Sequence, residues 1–142
     1  MLNITEIAEE LQEITAWQET PEVLGPNDYV RMVVRAVKKF FVDINRPEEY
    51  DITLWTTDEN EKTCYNRTFL LDEEEYIKLL CKIEFFKRVQ QDVNNRVGYS
   101  TDALTVTNAD KPYANLKDTI DDLQHERRIV FNKMVRYTLG ES

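Results

Sequence analysis

One histidine, two cysteines and three glycines are all that 142 residues offer of the types on which most catalytic sites are built. With His125 alone, flanked by Gln124 and Glu126, neither a histidine-based triad nor a multi-histidine metal site can form within one chain. The glycines stand at 25, 98 and 140, too scattered for a Gly-rich phosphate loop. Cys64 falls in a predicted strand and Cys81 on an apolar helix, a placement that points to buried free thiols and a reducing cytoplasm rather than to a disulfide. No apolar run approaches the roughly 20 residues of a membrane span, and the acidic N-terminus has no apolar core of signal-peptide length. Basic charge is also scarce: 18 Lys and Arg against 27 Asp and Glu leave a net charge of −9, which argues against a surface that grips nucleic acid. The expectation is a soluble, non-secreted protein with no catalytic residues, no metal and no cofactor.

What the chain has in quantity is apolar residues at helical spacing. At 142 residues it suits one domain, spanning 1–142, with 42% hydrophobic and 11% aromatic residues available for a core. Asn3 predicts the cap of a first helix, with Glu6 in the capping-box position and Ile4, Ile7, Ala8, Leu11 and Ile14 on its apolar face. Glu6, Glu9, Glu10 and Glu13 fill the outer face. Trp17 follows at the far end, as a lid over the core or as an anchor in a partner's pocket.

After Gly25-Pro26, Asn27 or Asp28 caps a second helix, with Val30, Val33, Val34, Val37, Phe41 and Ile44 facing inward. Tyr29, Met32, Phe40 and Val42 widen its apolar surface, so the helix is either central or covered by another subunit. Arg31, Arg35, Lys38 and Lys39 occupy the remaining polar side and read as a solvated stripe.

Beyond Asn45-Arg46-Pro47 the period changes to alternation. Ile52, Leu54 and Thr56 oppose Thr53, Trp55 and Thr57, Asp58 to Glu61 turn the chain, and Thr63, Tyr65 and Thr68 return. This predicts a hairpin arm over about 51–70. Such an arm is marginal alone, so Trp55, Tyr65 and Phe69 must lie on the helical body or under another chain.

Asp72 caps a third helix with the stripe Tyr76, Leu80, Ile83, Phe86, Gln90, Val93 and Val97, ending near Gly98. Glu73, Glu74 and Glu75 diverge by about 100° each and complement the helix dipole rather than a metal. A long loop arm over about 97–113, apolar through Tyr99, Leu104, Val106 and Tyr113, leads to a fourth helix starting at Pro112 or Asn115. Its stripe is Leu116, Ile120, Leu123, Arg127, Val130, Met134 and Tyr137, so helices three and four can bury each other as an antiparallel pair. Asp118, Asp121 and Asp122 lie on this helix without the loop geometry a divalent ion needs. Arg127 interrupts the stripe. It either snorkels to the edge or sets register by pairing with an acid on a neighbouring helix or subunit. The fold class read from these patterns is mainly α: a four-helix bundle-like domain, a β-hairpin protruding between helices two and three, and a long loop between helices three and four.

Charge is unevenly distributed. Residues 1–25 carry six acids and no base, 51–75 eight acids and two bases, and 76–100 five bases and two acids. Different faces can therefore attract complementary partners, including other copies of the chain.

Four segments together resemble the small head-to-tail connector, or adaptor, proteins of tailed bacteriophage necks. They are Phe69-Leu70-Leu71-Asp72-Glu73-Glu74-Glu75, the aromatic helix Leu79-Leu80-Cys81-Lys82-Ile83-Glu84-Phe85-Phe86-Lys87-Arg88, the loop Tyr99-Ser100-Thr101-Asp102, and Tyr113-Ala114-Asn115-Leu116-Lys117. The likeness covers about half the chain and is one of pattern. It implies a homo-oligomeric ring, commonly dodecameric, in the virion neck after assembly in the host cytoplasm. Such a ring joins the portal protein to tail, tail-terminator or other neck proteins, with DNA only passing through an acid-lined channel and no membrane involved. On that reading Trp55, Tyr65, Tyr99, Leu104, Val106, Tyr113, Arg127 and Tyr137 touch subunits or partners, and Asp58, Glu59 and Glu61 face the channel. The other reading open to the sequence is a small acidic binding module or assembly chaperone that takes a partner helix on the wide face of helix two.

Overall fold

The computed structural model describes residues 2–18, 20, 23–99 and 116–138. Among them are four helices, α1 (Ile4–Ile14), α2 (Pro26–Asp43), α3 (Leu71–Tyr99) and α4 (Leu116–Thr138), and three short strands, β1 (Leu2–Asn3), β2 (Trp55–Thr57) and β3 (Thr63–Tyr65). The protein is mainly α with one small antiparallel sheet in the order β1-β3-β2.

Local chemistry sets the helix ends. The Asn3 carboxamide oxygen accepts from the Glu6 amide at 2.9 Å, as the cap predicts, whereas the Glu6 carboxylate turns to Lys62 at 3.5 Å. α2 begins two residues before Asp28, whose carboxylate accepts from the Gly25 amide at 2.9 Å; Pro26 takes the first turn, where its missing N–H costs nothing. At the other end, Asn45 adopts φ 61°, Asn45 N–H donates to Val42 C=O and Arg46 N–H to Phe41 C=O, the paired closure that stops a helix. α3 starts at Leu71 rather than after Asp72, because the Glu73 carboxylate reaches back to the Leu70 amide at 2.8 Å. It also runs on through Gly98 to Tyr99, so the loop arm placed at 97–113 loses its first three residues to the helix.

α2 and α3 form the centre. Met32, Val33, Val37, Phe40 and Phe41 of α2 meet Tyr76, Ile77 and Phe85 of α3, all essentially solvent-free. The burial rotates the predicted inward face of α2: Met32, Ala36 and Phe40 are fully buried, while Val30, Val34 and Ile44 only pack against the core margin and Val42 is exposed. α1 closes one side with Ile4, Ile7, Ala8 and Leu11. α4 lies antiparallel on α3, with Phe131 against Tyr76 at one end and Gln124 sharing a groove with Ile83 and Lys87 further along.

The hairpin is shorter than its alternation suggests. Ile52–Leu54 is a single 3-10 turn, curled by the Asp51 carboxylate, which accepts from the Thr53 amide at 2.9 Å and its hydroxyl at 2.6 Å. Only Trp55–Thr57 and Thr63–Tyr65 pair, and the start of the chain adds a third strand, Leu2 opposite Tyr65 and Asn3 opposite Cys64. The base of the hairpin is thus anchored from both sides. Tyr65 is fully buried, with its ring beside Phe41 and Phe69 at 6.1 Å each, and the Arg67 guanidinium covers the Phe41 ring at 4.8 Å and the Phe69 ring at 4.9 Å.

Candidate functional site

On α2 the cations Arg31, Arg35 and Lys39 recur every fourth residue and therefore form one ridge. That ridge borders a groove between α2, α3 and α4. Ala36, Leu80 and Ile83 line it together with Arg35, Lys39, Glu84, Lys87, Gln124 and Arg127, around a cavity of about 520 Å³. A second reach of about 680 Å³ continues between α2 and α3, bordered by Asp28, Arg31, Arg35, Glu84, Lys87, Arg88, Gln91 and Asp92. Across the two reaches six cations face three acids, a positive surface on a chain of net charge −9.

Some of these charges hold the helices together. Arg35 Nε sits 2.6 Å from Glu84 Oε1 and clamps α2 to α3, and Arg88 lies 3.9 Å from Asp28. Burial pushes the Glu84 carboxyl above the ordinary range, and the Arg35 guanidinium draws it back. Arg31 and Lys87 make no ion pair among the described residues, so their charge faces the groove unspent.

At the end of the groove three helices converge on one polar node. The Tyr76 hydroxyl of α3 donates to Asp43 of α2 at 2.5 Å, Arg127 Nη1 of α4 donates to the same hydroxyl at 3.1 Å, and Arg127 lies 4.0 Å from the Asp43 carboxylate. Gln124 accepts from Arg127 Nε at 2.8 Å, and Lys39 Nζ adds a second cation 3.2 Å from Asp43. Arg127 therefore combines both sequence readings: it reaches the edge of the core, and there it pairs with an acid on a neighbouring helix of its own chain.

Burial, then the hydrogen bond to Asp43, pushes the Tyr76 phenol from 10.0 up to about 12, against the opposing pull of Arg127. The folded state thus holds this proton more tightly than the unfolded chain. Its contribution is complete below pH 10 and disappears as pH rises to about 12. Urea midpoints across that window should fall less steeply for Tyr76→Phe than for the parent; equal slopes would exclude Tyr76 as the source.

The other sequence-predicted site residues separate. Tyr65 is not a partner contact: its ring is in the core and its hydroxyl accepts from the Asp51 amide at 3.0 Å. Trp55 is half-buried, with its ring 4.7 Å from that of Tyr65 and its indole N–H donating to the Tyr50 hydroxyl at 3.0 Å. Asp58 is not a free acid, since its carboxylate accepts from the Asn60 and Lys62 amides at 2.9 Å each and builds the turn. Glu59 and Glu61 are exposed at the hairpin tip. Tyr99 ends α3 and Tyr137 lies in the last turn of α4, with side chains outside the described residues; Leu104, Val106 and Tyr113 lie outside them altogether.

The groove itself escaped sequence reasoning. In the sequence Arg31, Arg35, Lys38 and Lys39 read only as a solvated stripe, and the partners that Arg31, Arg35 and Lys39 face on α3 and α4 are fixed by packing. Among the described residues no group of His, Cys, Asp and Glu is placed to hold a metal ion, and no helix is long and apolar enough to cross a membrane. Cys64 and Cys81 are free and buried, with burial pushing both thiols up, opposite to the shift that makes a thiolate nucleophile. Comparison of the chain with protein families, curated proteins and solved structures finds no match.

Proposed function

We propose that the chain is a structural adaptor of a tailed-bacteriophage neck, a subunit that assembles into a ring, joins the portal to the tail and lets DNA pass. The observation that carries this reading is the separation of opposite charges onto opposite sides of one small domain. Lys78 of α3 meets Glu10 of acidic α1 at 3.4 Å, whereas Lys87 borders the basic groove. Nine residues separate them, roughly 180° around α3 at about 100° per residue. Surfaces that complement each other but cannot meet within one molecule favour head-to-tail contacts, which close into rings when the rotation allows.

A net charge of −9 suits a wall past which DNA slides without adhering. Glu59 and Glu61, exposed at the hairpin tip, supply candidate channel acids. The binding-module reading has less to stand on, because the broad apolar face of α2 is already filled by α1 and α3.

Light scattering at rising protein concentration, and with portal rings added, tests the proposal. Growth to a discrete multiple of the chain mass, or a stoichiometric complex with the portal, is expected. A single-chain mass that ignores the portal would remove it.

A further inference from the structure

We infer that the basic groove between α2, α3 and α4 receives the acidic outer ridge of α1 from a second copy of this chain. The inference rests on the ring-forming reading and specifies its contact. The groove has an apolar floor, Leu80 and Ile83 among it, and a rim on which Arg31 and Lys87 make no ion pair among the described residues. The α1 ridge offers the converse. Glu9 and Glu13 are exposed, lie one turn apart on the same face, and make no ion pair among the described residues.

Just past the end of α1, in the turn that follows Ile14, stands Trp17, 67% exposed, with its ring 5.7 Å from that of Phe86 and the remainder open. Tryptophan and arginine are the residues that most often anchor protein interfaces, and an indole can lie against both an aliphatic floor and a guanidinium. Two acids followed by one large aromatic thus match a cationic rim around an apolar floor. Phosphate is the other chemistry a cationic groove could take, but a chain of net charge −9 repels a polyanion at long range, while α1 itself carries four acids, Glu6, Glu9, Glu10 and Glu13, and no base.

The test uses two full-length variants, Arg31→Glu/Lys87→Glu with the groove reversed and Glu9→Lys/Glu13→Lys with the ridge reversed, sized by light scattering alone, mixed, and with portal rings. Each alone should associate roughly 100-fold or more weakly than the parent, since like charges meet at the contact. An equimolar mixture should recover the parent's mass, because every groove then meets a ridge of opposite sign. The neutral pair Arg31→Gln/Lys87→Gln should fall in between, and it carries the test if a reversed variant fails to fold.

If the parent assembles and both reversed variants assemble equally well, this contact is wrong and the ring reading survives. A parent that keeps single-chain mass with and without portal overturns both. Salt-sensitive retention of duplex DNA that groove reversal abolishes, with assembly untouched, would reassign the groove to phosphate and overturn the inference.

Discussion

Replacing Phe40 by alanine should lower the unfolding free energy by about 3–5 kcal/mol, a large share of the roughly 5–15 kcal/mol that holds a domain of this kind together. Phe40 is fully buried where three segments meet. Its ring lies edge-on to Phe41 at 5.2 Å, to Phe69 at 5.7 Å and to Tyr76 at 6.2 Å, which joins α2 to the exit of the hairpin and to α3. Such edge-to-face pairs add about 0.5–1.5 kcal/mol to what area burial alone provides. The neighbours cannot collapse into the space, because each ring is held by a different segment. Two positions along, Val42 is more than half exposed, and Val42→Ala should change stability by no more than about 0.5 kcal/mol. Urea unfolding of the two variants checks the contrast; equal losses would show that α2 does not face the core as described.

Asp43→Ala should cost about 1–3 kcal/mol, because it leaves the Tyr76 hydroxyl and the Arg127 guanidinium facing each other without an anion. The side chains of Asp43 and Arg127 are 15% and 25% exposed, so water replaces the lost carboxylate only in part. Arg127→Met should cost less, since the thioether continues the apolar stripe of α4 and Tyr76 keeps its acceptor. In the double variant neither charge remains, so its loss should fall short of the sum of the two single losses by about 0.5–3 kcal/mol. Strict additivity in a double-mutant cycle would mean that Asp43 and Arg127 do not act on each other. Groove geometry is a second readout: this node ties α4 to α2, so Asp43→Ala should also weaken the assembly proposed for the groove.

Much of the core was legible because its period is strong. Tyr76, Leu80, Ile83, Phe86 and Val93 of α3, and Leu116, Ile120, Val130 and Met134 of α4, were all assigned from spacing and are all buried. α2 was harder. Apolar residues occupy most of its circumference, so several faces satisfy the periodicity equally well, and the packing of α1 and α3 selected Met32, Ala36 and Phe40 over Val30 and Val34. β1 had no legible signal. Two residues carry no period, and Leu2–Asn3 becomes a strand only because the edge of β3 is there to pair with it. Tyr65 misled for a related reason: alternation says which residues share a face, not whether that face meets solvent, a partner or the protein's own core.

The number and order of the long helices, the Asn3 cap, the turn at Asp58 and the scarcity of His, Cys and Gly could all be read along the chain, because they depend on residue type and on neighbours within a few positions. Tertiary structure alone decided that Asp43, Tyr76 and Arg127 form one node, that Tyr65 is core, and that Arg31, Arg35 and Lys87 share a groove opposite acidic α1. Those groups lie on different helices, and a helix's own periodicity fixes which residues share a face but not which neighbour that face meets.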